Sequence, residues 1–146
     1  MTSYEIVKRT VDFTSPERVA LKYPTLGSSD IMRLFLQKPR ALRADTAELT
    51  ASDMRKKVIV TSGERDEWGT LWENLDGEAL GLGQPIDHPI KDWEEDYPEY
   101  RIPDPFAEGR FDGLEEALAL AGKDNLWVQL NSQYCIFERL HHVRGF

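Results

Sequence analysis

The sequence predicts an α/β fold with parallel strands, and three observations carry that expectation. In the last third, Phe111, Leu114, Leu118 and Ala121 recur on one helical face up to Gly122, Leu126 to Leu130 is a compact apolar run, and Ile136, Phe137, Leu140 and Val143 mark a further helix. Near the start, Arg18 to Tyr23 is a short apolar run closed by Pro24 and followed by a helix-type pattern, which reads as a βα step. A hydrophobic share of 40%, with 10% aromatics, is enough for a packed core in a chain of 146 residues, and it excludes a disordered one.

Taken in order, Thr2 and Glu5 have the spacing of a capping box, with Tyr4, Val7 and Val11 on one face behind them. This predicts a helix over residues 3 to 12, ended by Ser15-Pro16-Glu17. The strand from Arg18 to Tyr23 leads into a Leu26-Gly27 turn. Ser28 or Ser29 then caps a helix carrying Ile31, Leu34 and Phe35, which Pro39 stops. Residues 38 to 57 are polar and read as an irregular excursion. Lys57 to Thr61 and Trp68 to Glu73 are strand-like and separated by Ser62-Gly63-Glu64-Arg65, so they read as an early hairpin or as two neighbouring strands. Residues 74 to 89 read as loop with a Leu80-Gly81-Leu82-Gly83 turn; without a third glycine or a preceding βαβ unit, the pair Gly81/Gly83 is no dinucleotide fingerprint. Asp92 to Tyr97 reads as a short acidic helix, and Ile102-Pro103-Asp104-Pro105 as extended chain, because proline disfavours helix at the residue before it. Asn131-Ser132 caps the last helix. The sequence has no internal repeat and no linker to a second domain.

Charge narrows the partners. With 26 acidic against 18 basic residues the formal charge is −8, so neither nucleic acid nor an anionic membrane surface is an expected partner. No apolar run approaches the ~20 residues of a membrane span, and Met1 to Phe13 lacks a secretory apolar core, so a cytoplasmic location is expected. The single cysteine, Cys135, excludes an internal disulfide and a multi-cysteine zinc site within these residues.

Several groups bear chemistry. Asp66-Glu67-Trp68-Gly69 sets two carboxylates before an indole and a glycine. In a cleft, the apolar neighbour would raise a carboxyl pKa and the glycine would let a ligand approach the backbone, so Asp66 and Glu67 are the acid/base candidates and Trp68 a binding group. Solvated turn acids beside a core tryptophan are the plainer alternative. Asn131, Gln133 and Tyr134 follow a buried strand, where parallel α/β folds bind ligands, although helix capping explains part of that cluster. His88 is a loop imidazole, in a pocket or simply exposed. Cys135, Glu138, His141 and His142 lie within a few helical turns, but one Glu-x-x-His step supplies only two ligands, and an ordinary amphipathic helix accounts for them.

Five stretches, in the same order along the chain, resemble the N-terminal part of the uroporphyrinogen decarboxylase superfamily, especially its corrinoid-dependent methyltransferase-like branch. They are Ser15 to Val19, Asp66 to Glu73, Pro89 to Trp93, Ile102 to Pro105, and Phe137 to Leu140 with Arg144-Gly145-Phe146. The resemblance implies the N-terminal portion of a (β/α)8 TIM-type barrel, with the C-terminal half absent from residues 1–146. Its pocket would lie at the strand C-terminal face, with Asp66 near the family's acidic pocket position and Tyr23 in its early substrate-binding stretch. That stretch, Leu21 to Gly27, lacks the arginines with which true uroporphyrinogen decarboxylases hold substrate carboxylates, so the methyltransferase type is expected over tetrapyrrole decarboxylation. No cofactor is expected on this chain alone; zinc and a corrinoid are implied for a complete enzyme, as are a small-molecule methyl donor and a C-terminal-half chain or corrinoid protein as partners. A non-catalytic truncated barrel serving binding or assembly is the other alternative, and unpaired strand edges lead us to expect that the isolated chain self-associates or is only marginally folded.

Overall fold

The computed structural model describes residues 1–22, 29–44, 47–58, 60, 62–74, 83–131 and 135–146. In chain order its elements are α1 (Ser3–Val11), β1 (Ile31–Phe35), a 3-10 turn (Arg40–Leu42), α2 (Ala51–Met54), β2 (Leu71–Glu73), β3 (Gln84–Asp87), α3 (Leu114–Lys123), β4 (Trp127–Asn131) and α4 (Ile136–Arg144). They form two compact units. One comprises Met1–Gln37, Thr46–Lys57 and Phe111–Ser132, the other Lys38–Asp45, Val58–Arg110 and Gln133–Phe146.

The first unit is built on a parallel pair, β1 and β4, in register from Ile31 with Trp127 to Phe35 with Asn131. Alternation along the strands puts Met32 and Leu34 on one face, and there they pack with Ala51 and Met54 of α2 and with Ala117 and Ala121 of α3. The small residues of α3 let it lie close to the sheet, while Leu118 stays exposed. On α1, Thr2 and Glu5 complete the capping box, Ile6 and Val7 are buried, and Tyr4 stacks on Trp127 with ring centroids 5.2 Å apart. Buried Asp30 ties the unit's entry together. Its carboxylate accepts from Ser3 Oγ (2.6 Å), both terminal nitrogens of Arg18 (2.6 and 2.7 Å) and Leu21 N (2.8 Å). The Arg18 hydrogen bonds hold its carboxyl far below the usual carboxylate range, against the opposing effect of burial.

The second unit has the antiparallel pair β2 and β3, and α4 is tied to the chain that follows β3, where Ile90 N donates to Val143 O at 3.1 Å. Trp72, Ile90, Val143 and Thr70 are buried here, together with Arg110. Beside β3, Arg65 and then Lys91 bring the Asp87 carboxyl down to about 2.

Several expectations are corrected. Ile31 to Phe35 is a strand, not a helix: Ile31, Leu34 and Phe35 also fit a helical spacing, but alternation at Met32 and Leu34 with parallel pairing to β4 prevails. Arg18 to Lys22 forms no strand, because Leu21 spends its backbone groups on Asp30; Tyr23 to Ser28 lies outside the described residues. Lys57, Val58 and Val60 are not in a strand either, while Ile59 and Thr61 lie outside the described residues. The hairpin partner of β2 is instead β3, where a loop was expected, with Pro85 opposite Trp72. Residues 38 to 57 contain α2, set by a capping box between Thr50 and Asp53. Asp92 to Tyr97 is a run of turns. The last helix begins behind Cys135 rather than Asn131-Ser132, and on it only Val143 of the expected apolar face is buried. Likewise β4 is only half covered, with Leu130 exposed. Leu80, Gly81 and Leu82 lie outside the described residues.

Candidate functional site

In the second unit, Asp66-Glu67-Trp68-Gly69-Thr70 is a tight turn that its own sequence dictates. Asp66 Oδ1 accepts from Trp68 N and Thr70 N, both at 3.0 Å, and Asp66 N and O bond Thr70 O (2.9 Å) and Gly69 N (3.0 Å). Gly69 sits at φ +83°, where side chains are strained, and a Cβ there would lie 3.1 Å from Pro89; the space beside this glycine holds proline, not an open approach for a ligand. The other Asp66 oxygen, Oδ2, accepts from Trp72 Nε1 (3.1 Å) and Arg139 Nη1 (2.8 Å). With its side chain only 6% exposed, Asp66 is a four-bond acceptor that joins the turn, β2 and α4. The Arg139 guanidinium also lies over the Trp68 ring, 4.7 Å from its centroid.

Glu67 turns to a different partner. Arg110, 1% exposed, donates to both Glu67 oxygens (2.7 and 3.3 Å) and to Asp104 O (3.1 Å), a bidentate pair that fastens the Pro103–Pro105 segment to the turn. Two imidazoles complete the cluster. The His142 ring meets Trp72 edge-on at 4.7 Å, and its carbonyl accepts from Thr70 Oγ1 (2.7 Å) and the His88 ring at Nδ1 (2.8 Å), so His88 is half-buried and bonded. Burial, with Arg139 next, pushes the His142 pKa down. Burial likewise raises that of Tyr100, whose hydroxyl donates to Trp68 O at 3.1 Å. Glu138 is spent on the helix start, accepting from Cys135 N at 3.0 Å.

In the first unit, Asn131 ends β4, and its carbonyl accepts from Leu36 N at 3.1 Å. Strand alternation gives Asn131 one face with Arg33, Phe35, Trp127 and Gln129, opposite the face that α2 and α3 cover. Arg33 lies over the Phe35 ring at 5.1 Å, and Gln129 accepts from Lys22 Nζ at 2.8 Å. Below the end of β1, buried Gln37 donates to the carbonyls of Phe35, Asp53 and Lys56 and so anchors α2. Sequence reasoning missed Arg33 and Gln129; the alternation Ile31-Arg33-Phe35 is the signal that would have found them. Thus Asp66, Glu67 and Trp68 share one turn, Asn131 belongs to the other unit, and Tyr23, Gln133 and Tyr134 lie outside the described residues.

No protein-family model, curated protein or solved structure matches the chain. Among the described residues, no three His, Cys, Asp or Glu side chains are placed to hold a metal, and no helix is long and apolar enough to cross a membrane.

Proposed function

We propose that this chain forms the opening βα units of a uroporphyrinogen-decarboxylase-like (β/α)8 barrel, most closely of the corrinoid-linked methyltransferase type, working in the cytoplasm. The observation that supports this reading is the parallel β1–β4 pair with α3 between its strands in sequence, covered on its apolar face by α2 and α3 and carrying Arg33, Gln129 and Asn131 on the other. In such barrels helices cover the outer strand face, and ligands bind at the strand C-terminal ends, where Asn131 stands. Asn131 and Gln129 then supply amide donors and acceptors to a polar methyl donor or a tetrapyrrole edge, and Arg33 a cation for one carboxylate. Asp66, saturated with donors, acts as a positioning residue that fixes Arg139 against Trp68. The described residues offer no ligand set for the zinc of the methyltransferase branch.

Titration of the folded chain with methylcobalamin and with uroporphyrin, read by tryptophan fluorescence, tests the proposal. Corrinoid binding weakened by Asn131→Ala and Arg33→Met is the expected result. Preferential uroporphyrin binding would favour the tetrapyrrole decarboxylase instead, and binding of neither would leave the non-catalytic assembly module.

A further inference from the structure

Residues 91–100 hold two large aromatic side chains in water by construction. The Asp96 carboxylate accepts from Lys91 N (2.7 Å) and Asp92 N (2.8 Å), and Asp92 Oδ1 accepts from Glu94 N (2.8 Å) and Glu95 N (3.0 Å). Backbone bonds from Asp96 N to Asp92 O (3.0 Å) and from Tyr100 N to Asp96 O (3.1 Å) close the turns, and the Tyr100 hydroxyl pins their far end to Trp68 O. On this braced segment Trp93 and Tyr97 stack with centroids 4.6 Å apart and planes 11° from parallel, yet they remain 49% and 52% exposed. A rigid, solvent-facing Trp–Tyr stack is the kind of preorganised apolar anchor that binding surfaces use.

Its surroundings define the occupant. Glu94, Glu95 and Glu99 are exposed, and no cation pairs with them among the described residues. Two cations close by in sequence are already engaged: Lys91 pairs with Asp87 at 3.0 Å, and Arg101 donates to the carbonyls of Pro98 and Tyr100. We propose that the Trp93–Tyr97 face docks an arginine-bearing basic segment of a partner protein, a guanidinium lying against the aromatic stack while its planar donors meet the glutamates. Arginine is favoured over lysine because it both stacks and forks, whereas an ammonium is a point charge with a tighter hydration shell. Its residues belong to the other unit from Arg33, Gln129 and Asn131, so its failure and that of the barrel reading are separable.

The experiment titrates hexa-arginine and hexa-lysine peptides into the folded chain, following by NMR the backbone amides of residues 91–97 in every variant and, where tryptophan is present, the Trp93 indole N–H. Hexa-arginine binding that shifts these signals, exceeds hexa-lysine binding severalfold and weakens about fivefold in Trp93→Ala is expected. The triple variant Glu94→Gln/Glu95→Gln/Glu99→Gln leaves the bracing bonds intact and is expected to weaken it comparably and to flatten its salt dependence. Equal binding of both peptides, insensitive to both variants, would be general attraction to an acidic chain and would overturn the proposal. So would self-association abolished by Trp93→Ala, which would assign the face to a second copy.

Discussion

Asp66 carries more of the second unit than its place in a turn implies, since one carboxylate serves two backbone amides, an indole N–H and a guanidinium. Asp66→Asn is therefore not a quiet change: one oxygen becomes a donor facing either the amide pair or the indole with Arg139, donor against donor. It is expected to cost about 3 kcal/mol in urea unfolding, as breaking a buried pair does, and a loss below ~1 kcal/mol would show that the network contributes little. His142 gives the second residue-level prediction. Because burial and Arg139 lower its pKa, the folded unit resists the proton that the unfolded chain accepts near pH 6.5. Its contribution is fully present above that pH and is lost as pH falls through and below it. The urea midpoint is expected to drop between pH 7.5 and 5.5, and His142→Gln is expected to flatten that drop; an unchanged slope in the variant would count against it. The acids of the Asp66 turn were legible in the sequence, but their partners were not. Arg139 and Arg110 are distant in the chain, and nothing local distinguishes them from surface arginines.

Legibility of the elements follows how local their cause is. The opening helix was readable because Thr2 and Glu5 fix it within four residues, and α3 and β4 because of their apolar runs, although α3 passes through Gly122 and ends at Lys123. β1 was misread because its five residues satisfy two periods at once and only pairing with β4 decides between them. Gly83 and Pro85 hid β3, whose strand character comes from Trp72 across the ladder. α2, a single turn in polar sequence, owes its place to Met54 and Ala51 in the core. One junction between such elements is unusually tight: Gly113 sits at φ +75°, and a Cβ there would lie 2.6 Å from Leu49 O and from Thr50 C. Gly113→Ala is expected to destabilise the first unit by more than about 2 kcal/mol in thermal or urea melts, through left-handed strain and backbone overlap together. A melt like that of the parent would mean that the Thr50–Gly113 approach relaxes freely.

At the scale of the molecule, two small sheets replace one large one among the described residues. No third strand pairs with β1 or β4 there, so each presents an open edge, and Ile136, Phe137 and Leu140 on α4 add exposed apolar surface. Concentration-dependent self-association is expected in sedimentation velocity over the micromolar range, and a monodisperse monomer across that range would contradict it.

The pairing of β1 with β4 also sets a clock for synthesis. Roughly ninety residues separate Phe35 from Trp127, which a ribosome takes about 5–20 s to add. For most of that interval Met32 and Leu34 have neither their sheet partner nor α3 to cover them. The first unit therefore closes late on the nascent chain, and its early strand is the segment a chaperone has the longest time to hold.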